Sequence, residues 1–304
     1  MTLSRTPSVR LAAASRFITL GALGIALAPM GAQAPGAADY AAAMDAAARR
    51  DWNTAGASME KAVRADSSNA SYHYWLGKAY SQRAATASIL TRTRLAPRFI
   101  AAWERSIALD STYDAAYEDL IPMYAQLPGI VGGSKSKAEA LLARWLRIHP
   151  YAAGLARVRF DVARNLSAEA TANGQAMVAA FPDSTRPVYE LVIAYQRASR
   201  FPEARTTVER GLLRWPDEPR LLYAVGRAAA ASGEELDRGE AALRRLLANE
   251  RQLDDPLRAN TRYRLGAILE RRGDKTGARA EYERALAIIP TLRDAKAGLE
   301  RVRR

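Results

Sequence analysis

The chain has 304 residues, 49% of them hydrophobic and 25% charged, which is apolar enough for a sizeable core and rules out a disordered chain. It has no Cys, so disulfides, thiolate metal sites, cysteine nucleophiles and lipid attachment to cysteine are excluded. Its 45 basic and 32 acidic residues leave a charge of +13, which favours an acidic partner without choosing among anionic lipid, nucleic acid and acidic peptide. The apolar share is mostly Ala and Leu, and with Arg and Glu these strong helix formers predict an all-α fold.

In chain order, the first feature is an export segment. Arg5, Arg10 and Arg16 precede an apolar run from Phe17 to Ala28, which Pro29 and Gly31 break. Ala32-Gln33-Ala34 then offers the small-x-small form of a signal-peptidase site. Pro35 hinders cleavage after Ala34, and Gly36-Ala37-Ala38 offers a second site that would leave Asp39 at the N-terminus. The apolar run is short for a membrane span. The reading is therefore a cleaved signal peptide over 1–38, with an uncleaved anchor as the competing reading, a mature domain over 39–304, and a periplasmic or secreted protein. Removing the three arginines of the segment lowers the charge from +13 to +10.

The remainder is repetitive. Trp52, Ala55, Met59, Ala62 and Val63 mark one helix. A unit beginning at Ala70 shows Leu76-Gly77 and Tyr80, and its second helix resumes at Trp103 after roughly ten extra residues. The next has Tyr117, Leu120 and Tyr124, then Ala138, Leu142 and Pro150, with about five extra residues. Two weaker units run from Ala153 to Pro182 and from Pro219 to about Asn249. Between them lies the clearest, Thr185 to Pro216, with Val188, Leu191, Val192, Tyr195, Phe201, Ala204, Val208, Gly211 and Leu212. The last shows Leu265, Gly266, Leu269, Gly273, Ala278, Tyr282, Ala285, Leu286 and Pro290, and Leu292 to Val302 reads as a capping helix.

Pro182 and Pro216 lie 34 residues apart. This spacing and pattern resemble the tetratricopeptide repeat (TPR), which wants large apolar residues at repeat positions 4, 7, 11, 17 and 24, small ones at 8, 20 and 27, and Pro at 32. The resemblance implies a right-handed superhelix of about seven helix pairs with a C-terminal capping helix. Small residues let the paired helices approach, Pro stops the second helix, and stacking buries faces that no repeat buries alone.

Two insertions interrupt the period, near 81–98 and 127–137. The first holds Ala84, Ala85, Ala87, Ile89 and Leu90 and reads as an extended helix plus a loop up to Pro97. The second is Leu127-Pro128-Gly129-Ile130-Val131-Gly132-Gly133-Ser134-Lys135-Ser136-Lys137. Together with Tyr72 to Tyr80 it resembles segments of bacterial exported TPR proteins, and its Gly-Gly loop is similar to one in the periplasmic T component of TRAP transporters. Gly129 to Ser136 nearly spells a phosphate-binding loop, but Ser134 stands where the second Gly belongs and no strand pattern precedes it. A Gly-rich turn, with Ser134 or Ser136 capping the next helix, is the competing reading.

The resemblance also implies that the first helices of the repeats line a concave groove, with contacts from positions 2, 5, 9, 12 and 13. Those positions carry Tyr74, Lys78, Arg186, Tyr189, Arg197, Arg220, Tyr223, Arg227, Tyr263 and Arg271. Arg offers a planar fork for carboxylates, and Tyr a rigid contact with a polar tip. Tyr at position 5 also serves packing, and scattered Arg also solvates helices. His73, inside a helix, and His149, before Pro150, suit structural roles. No paired-carboxylate, Ser-His or metal-ligand cluster stands out, so the expectation is a non-catalytic protein without cofactor or metal. It would bind a protein or acidic peptide and not nucleic acid, because the groove lacks a base-reading pattern. An accessory ligand-binding subunit of a solute transporter is the alternative.

Overall fold

A computed structural model of the chain describes residues 34–303. Among the described residues there are fifteen α-helices and no strand. They form seven antiparallel pairs: α1 (Ala37–Ala48) with α2 (Trp52–Ala65), α3 (Ala70–Thr86) with α4 (Ile89–Leu109), α5 (Asp114–Gln126) with α6 (Lys135–Ile148), α7 (Pro150–Ala163) with α8 (Ser167–Ala180), α9 (Thr185–Arg197) with α10 (Phe201–Arg214), α11 (Pro219–Ser232) with α12 (Leu236–Ala248), and α13 (Asp255–Arg271) with α14 (Lys275–Ile288). A final helix, α15 (Arg293–Arg303), caps α13 and α14. Seven pairs and a cap are what the repeat pattern predicts. The export segment, up to residue 33, lies outside the described residues. Helix α1 starts at Ala37, inside the interval assigned to that segment, where the Tyr72 hydroxyl donates to the Pro35 carbonyl at 3.2 Å.

Local chemistry sets the ends. Asp51, Asn69, Ser88, Ser134, Asp254 and Asp274 each accept a backbone N–H of the first turn that follows, satisfying groups a helix start leaves open. Pro150, Pro202, Pro219 and Pro256 sit in first turns, where a missing N–H costs nothing. The pairs then stack: α5, α7, α9, α11, α13 and α15 touch in succession, making an inner layer of first helices. Close approach depends on glycine at repeat position 8. A Cβ on Gly77 would lie 2.6 Å from the Trp103 ring, and one on Gly226 2.2 Å from Leu243 Cγ.

Two large apolar clusters result. The N-terminal one is aromatic, built on Trp103, Trp145, Tyr117, Phe99 and Tyr124. Trp145 stacks on Tyr117 with centroids 5.3 Å apart, and Trp103 Nε1 donates to the Tyr74 carbonyl at 3.1 Å. The C-terminal cluster is mostly Leu, Val and Ala around Tyr195, Tyr223 and Tyr282. A small cluster of Leu155, Val158, Ala170, Met177 and Ala194 lies between them.

The first insertion is more helical than the sequence implies. Both α3 and α4 are lengthened, the loop shrinks to Ala87–Ser88, and Pro97 lies inside α4. Pro97 is on the exposed face, where water can satisfy the carbonyl that its missing N–H abandons. The Arg92 guanidinium clasps the hairpin turn by donating to the carbonyls of Ala84 and Ala87. The second insertion is a 3₁₀ turn, Gly129–Val131, followed by Gly132 at φ 99°, packed against Ile100. Ser134 caps α6 through the Lys137 N–H, so the capped-turn reading holds, with helix and not strand before it.

Candidate functional site: an arginine and tyrosine groove

The inner layer of first helices brings most of the predicted residues together in its C-terminal half. On α9, Tyr189 and Glu190 are adjacent, and Glu190 is buried with only 5% exposed. Its carboxylate lies 3.7 Å from Arg159 Nε of α7 and 3.6 Å from Arg186 Nε, with Arg220 of α11 also close. Burial outweighs these cations and pushes the Glu190 carboxyl above its ordinary range. Burial likewise raises the Tyr189 phenol, against the pull of Arg227.

Arg227 is the centre of the neighbouring cluster. Tyr189, Tyr223, Arg197 and Arg264 surround it, and its Nε donates to Gln196 Oε1 at 3.1 Å. Burial, with Arg264 and Arg197 beside it, lowers the affinity of Arg227 for its proton. Gln196 in turn donates to the Ala224 carbonyl at 3.2 Å, tying α9 to α11. On α13, Arg264 lies 4.7 Å from the Tyr263 ring centroid, a cation–π contact. The Nε atoms of Arg186 and Arg264 are buried without an acceptor.

Six guanidinium groups (Arg159, Arg186, Arg197, Arg220, Arg227 and Arg264) therefore share this surface with one carboxylate, Glu190. Among the described residues, Arg197, Arg220, Arg227 and Arg264 have no carboxylate within 4.0 Å. Elsewhere in the same half several arginines are paired, Arg205 with Glu235, Arg238 with Glu209, Arg272 with Glu240 and Arg301 with Glu270, while Arg210, Arg251, Arg271 and Arg293 stand singly, without a carboxylate within 4.0 Å among the described residues. An unbalanced cluster of like charges costs self-repulsion, which an anionic ligand would relieve.

The other predicted groove residues stand apart from this cluster. Tyr74 is buried in the N-terminal core, against Tyr113 at 5.1 Å and beside Asp119, and burial lifts its phenol above the usual range. Lys78 is neutralised by Asp119 of α5 at 2.9 Å. Arg271 is a strut: its Nε and one terminal nitrogen each donate at 3.0 Å to the carbonyls of Ala230 and Ala231 at the end of α11. Three contributors lay outside the positions considered: Glu190 and Arg264, both at repeat position 6, and Arg159, in a unit whose phase is weak. The signal for the first two was a charged residue directly after the position-5 tyrosine. Both histidines act structurally, His73 toward the Ser67 carbonyl and His149 toward Asp114, which also accepts from Trp145. Beside the Gly-Gly loop, the depression lined by Glu104, Leu120, Tyr124 and Lys137 opens broadly to solvent.

The Tetratricopeptide repeat family model matches residues 189–236 and 233–292, the segment that carries most of the groove. A tetratricopeptide repeat protein from Parabacteroides merdae is similar in structure, with TM-score 0.61 and 14% identity over 88% of this chain and 99% of its own. Yeast Tom70 is similar with TM-score 0.62 and 13% identity over 83% of this chain; the match spans 52% of that protein. At such identities the likeness is one of fold. No curated protein matches the sequence. Seven stacked helix pairs with the repeat residues in phase give the chain the fold of tetratricopeptide-repeat proteins, and its residues 189–292 match that family's model.

Proposed function

We propose that this protein is an exported, non-catalytic scaffold, periplasmic or secreted, whose C-terminal groove holds an acidic segment of a partner protein. The observation that carries the reading is the set of four arginines, Arg197, Arg220, Arg227 and Arg264, gathered without acidic partners beside Tyr189, Tyr223 and Tyr263. Arginine forks take carboxylates bidentately, and the half-buried Tyr189 and Tyr263 supply rigid contact area at little entropic cost, with the buried Tyr223 behind them. A transporter-subunit role is less well supported, because a small solute needs an enclosed pocket and the depression beside the Gly-Gly loop is open.

The test is fluorescence anisotropy with a labelled Asp/Glu-rich peptide and its Asn/Gln counterpart. The acidic peptide binds, the amide peptide does not, and binding weakens as salt rises. Arg220→Ala/Arg227→Ala/Arg264→Ala weakens binding about 100-fold, at roughly 1 kcal/mol for each lost charge-assisted contact, with helical circular dichroism unchanged. Equal binding of both peptides, or full binding by the variant, would sink the groove reading. Export is tested separately by fusing residues 1–38 to alkaline phosphatase, which is active only outside the cytoplasm. An inactive fusion refutes export and leaves the groove reading standing.

A further inference from the structure

The turns joining first to second helices all lie on one edge of the stack, because the helices alternate in direction. Four large apolar side chains are exposed along it: Ile89 (74%), Leu90 (61%), Ile130 (94%) and Phe201 (46%). Ile89 and Leu90 stand out further, because they form the tip of the lengthened α3/α4 hairpin. They lie eleven and ten residues before Ile100, the level at which the Gly-Gly loop packs on α4. That is about 16 Å of helix at 1.5 Å per residue. Two adjacent exposed apolar residues on a protruding tip serve no core, and they project outward where a peptide groove would be concave.

The hairpin's own charges have one sign. The sequence has no Asp or Glu between Asp66 and Glu104, a span that carries Arg83, Arg92, Arg94 and Arg98 besides Lys78, which pairs with Asp119. Arg50, on the neighbouring turn, lines one cleft with Arg83, Trp52 and Thr86. The acid in that cleft, Asp51, is engaged in capping α2. Among the described residues, Arg50 and Arg94 have no carboxylate within 4.0 Å; nor do Arg83 and Arg98, which lie over the Tyr80 ring, whose hydroxyl donates to Glu60. Arg92 is held by the hairpin turn itself. An apolar tip collared by guanidinium groups matches an anionic bilayer surface, where the aliphatic side chains enter the headgroup boundary and the arginines meet the phosphates.

We infer that the α3/α4 hairpin tip docks this protein on anionic lipid surfaces through Ile89 and Leu90, with Arg50, Arg83 and Arg94 behind them. The two surfaces are separate: the tip belongs to the N-terminal half, and the acidic-segment groove to the C-terminal half. A docked protein would therefore leave its groove free for a partner.

Because the chain has no Cys, a single cysteine can carry an environment-sensitive nitrobenzoxadiazole label. In the full chain, Thr93→Cys places it on the exposed face one turn beyond the tip, and Leu213→Cys places it on the opposite edge. The measurement is emission during titration with vesicles of phosphatidylcholine alone or mixed with phosphatidylglycerol. The Thr93→Cys label shifts to the blue and brightens with anionic vesicles only, and reverts in high salt, while the Leu213→Cys label stays in water. Ile89→Asp/Leu90→Asp raises the lipid concentration at half-response about tenfold or more. Both side chains are exposed, so this variant keeps its fold, which circular dichroism verifies. A silent Thr93→Cys label, an equal response at Leu213→Cys, an equal response to neutral vesicles, or an unchanged aspartate variant each overturns the inference. Attachment through residues 17–28 alone would leave the Thr93→Cys label silent, and so counts among the overturning results.

Discussion

The two halves of the stack use the same repeat positions for different ends. In α3, the position-5 tyrosine, Tyr74, is sealed in an aromatic core, and the position-9 lysine, Lys78, is neutralised by Asp119 on the next first helix. In α9, α11 and α13 the same layer gathers Arg197, Arg220, Arg227 and Arg264, with Glu190 the one buried carboxylate among them. The difference teaches that position in a repeat fixes which way a side chain faces. Whether it can bind depends on what the adjacent repeats place beside it. The N-terminal half pairs its groove lysine with Asp119 and spends its irregularity on an elongated hairpin and a glycine loop. The C-terminal half keeps regular repeats and leaves its groove charge unbalanced.

The harshest way to break the comparison is Trp103→Ala. It opens a cavity in the aromatic cluster and strips the Tyr74 carbonyl of its donor, at a cost of about 3–5 kcal/mol. In a stacked-repeat protein, stability is local, so hydrogen exchange should lose protection over α3–α6 while α9–α14 keep theirs. Uniform loss along the chain would mean that the halves unfold as one unit. Next comes the groove. A 100-fold loss of acidic-peptide binding in Arg220→Ala/Arg227→Ala/Arg264→Ala corresponds to about 2.7 kcal/mol. Lys78→Ala should leave that binding unchanged, because Asp119 already satisfies the lysine. A matching loss in Lys78→Ala would erase the distinction between the halves.

A smaller effect tests what the halves share. Gly226→Ala places a methyl group against Leu243, and Gly77→Ala places one against Trp103. Each should cost about 1–3 kcal/mol, read as a fall in Tm of a few degrees in a chain of this size. The finest test is pH. The Glu190 carboxyl titrates above the ordinary range, so its protonated form is the one the fold favours. Its contribution to stability is complete below the ordinary carboxylate range and is lost as pH rises through the raised value. Relative to Glu190→Gln, which does not titrate, the wild type should therefore gain stability as pH falls through that window, as measured by urea unfolding. A constant difference would mean that Arg159 and Arg186 fully compensate the buried charge.

The all-helical class, the number of pairs and the capping helix were legible in the sequence. Leu76-Gly77, Leu265-Gly266 and the prolines at 150, 182, 216 and 290 recur with the period of a helix pair, and that pattern depends only on local packing and termination. The absence of cysteine chemistry followed from composition alone. The loop expected before Pro97 was misread because proline discourages a helix locally, and only packing against α3 shows that α4 continues through it. Tertiary structure alone decided the charge balance of the groove. Asp119 reaches Lys78 across 41 residues, and Arg159 meets Glu190 across 31, because adjacent first helices touch. Coulomb energy depends on distance in space, and only the stacked solenoid fixes that distance.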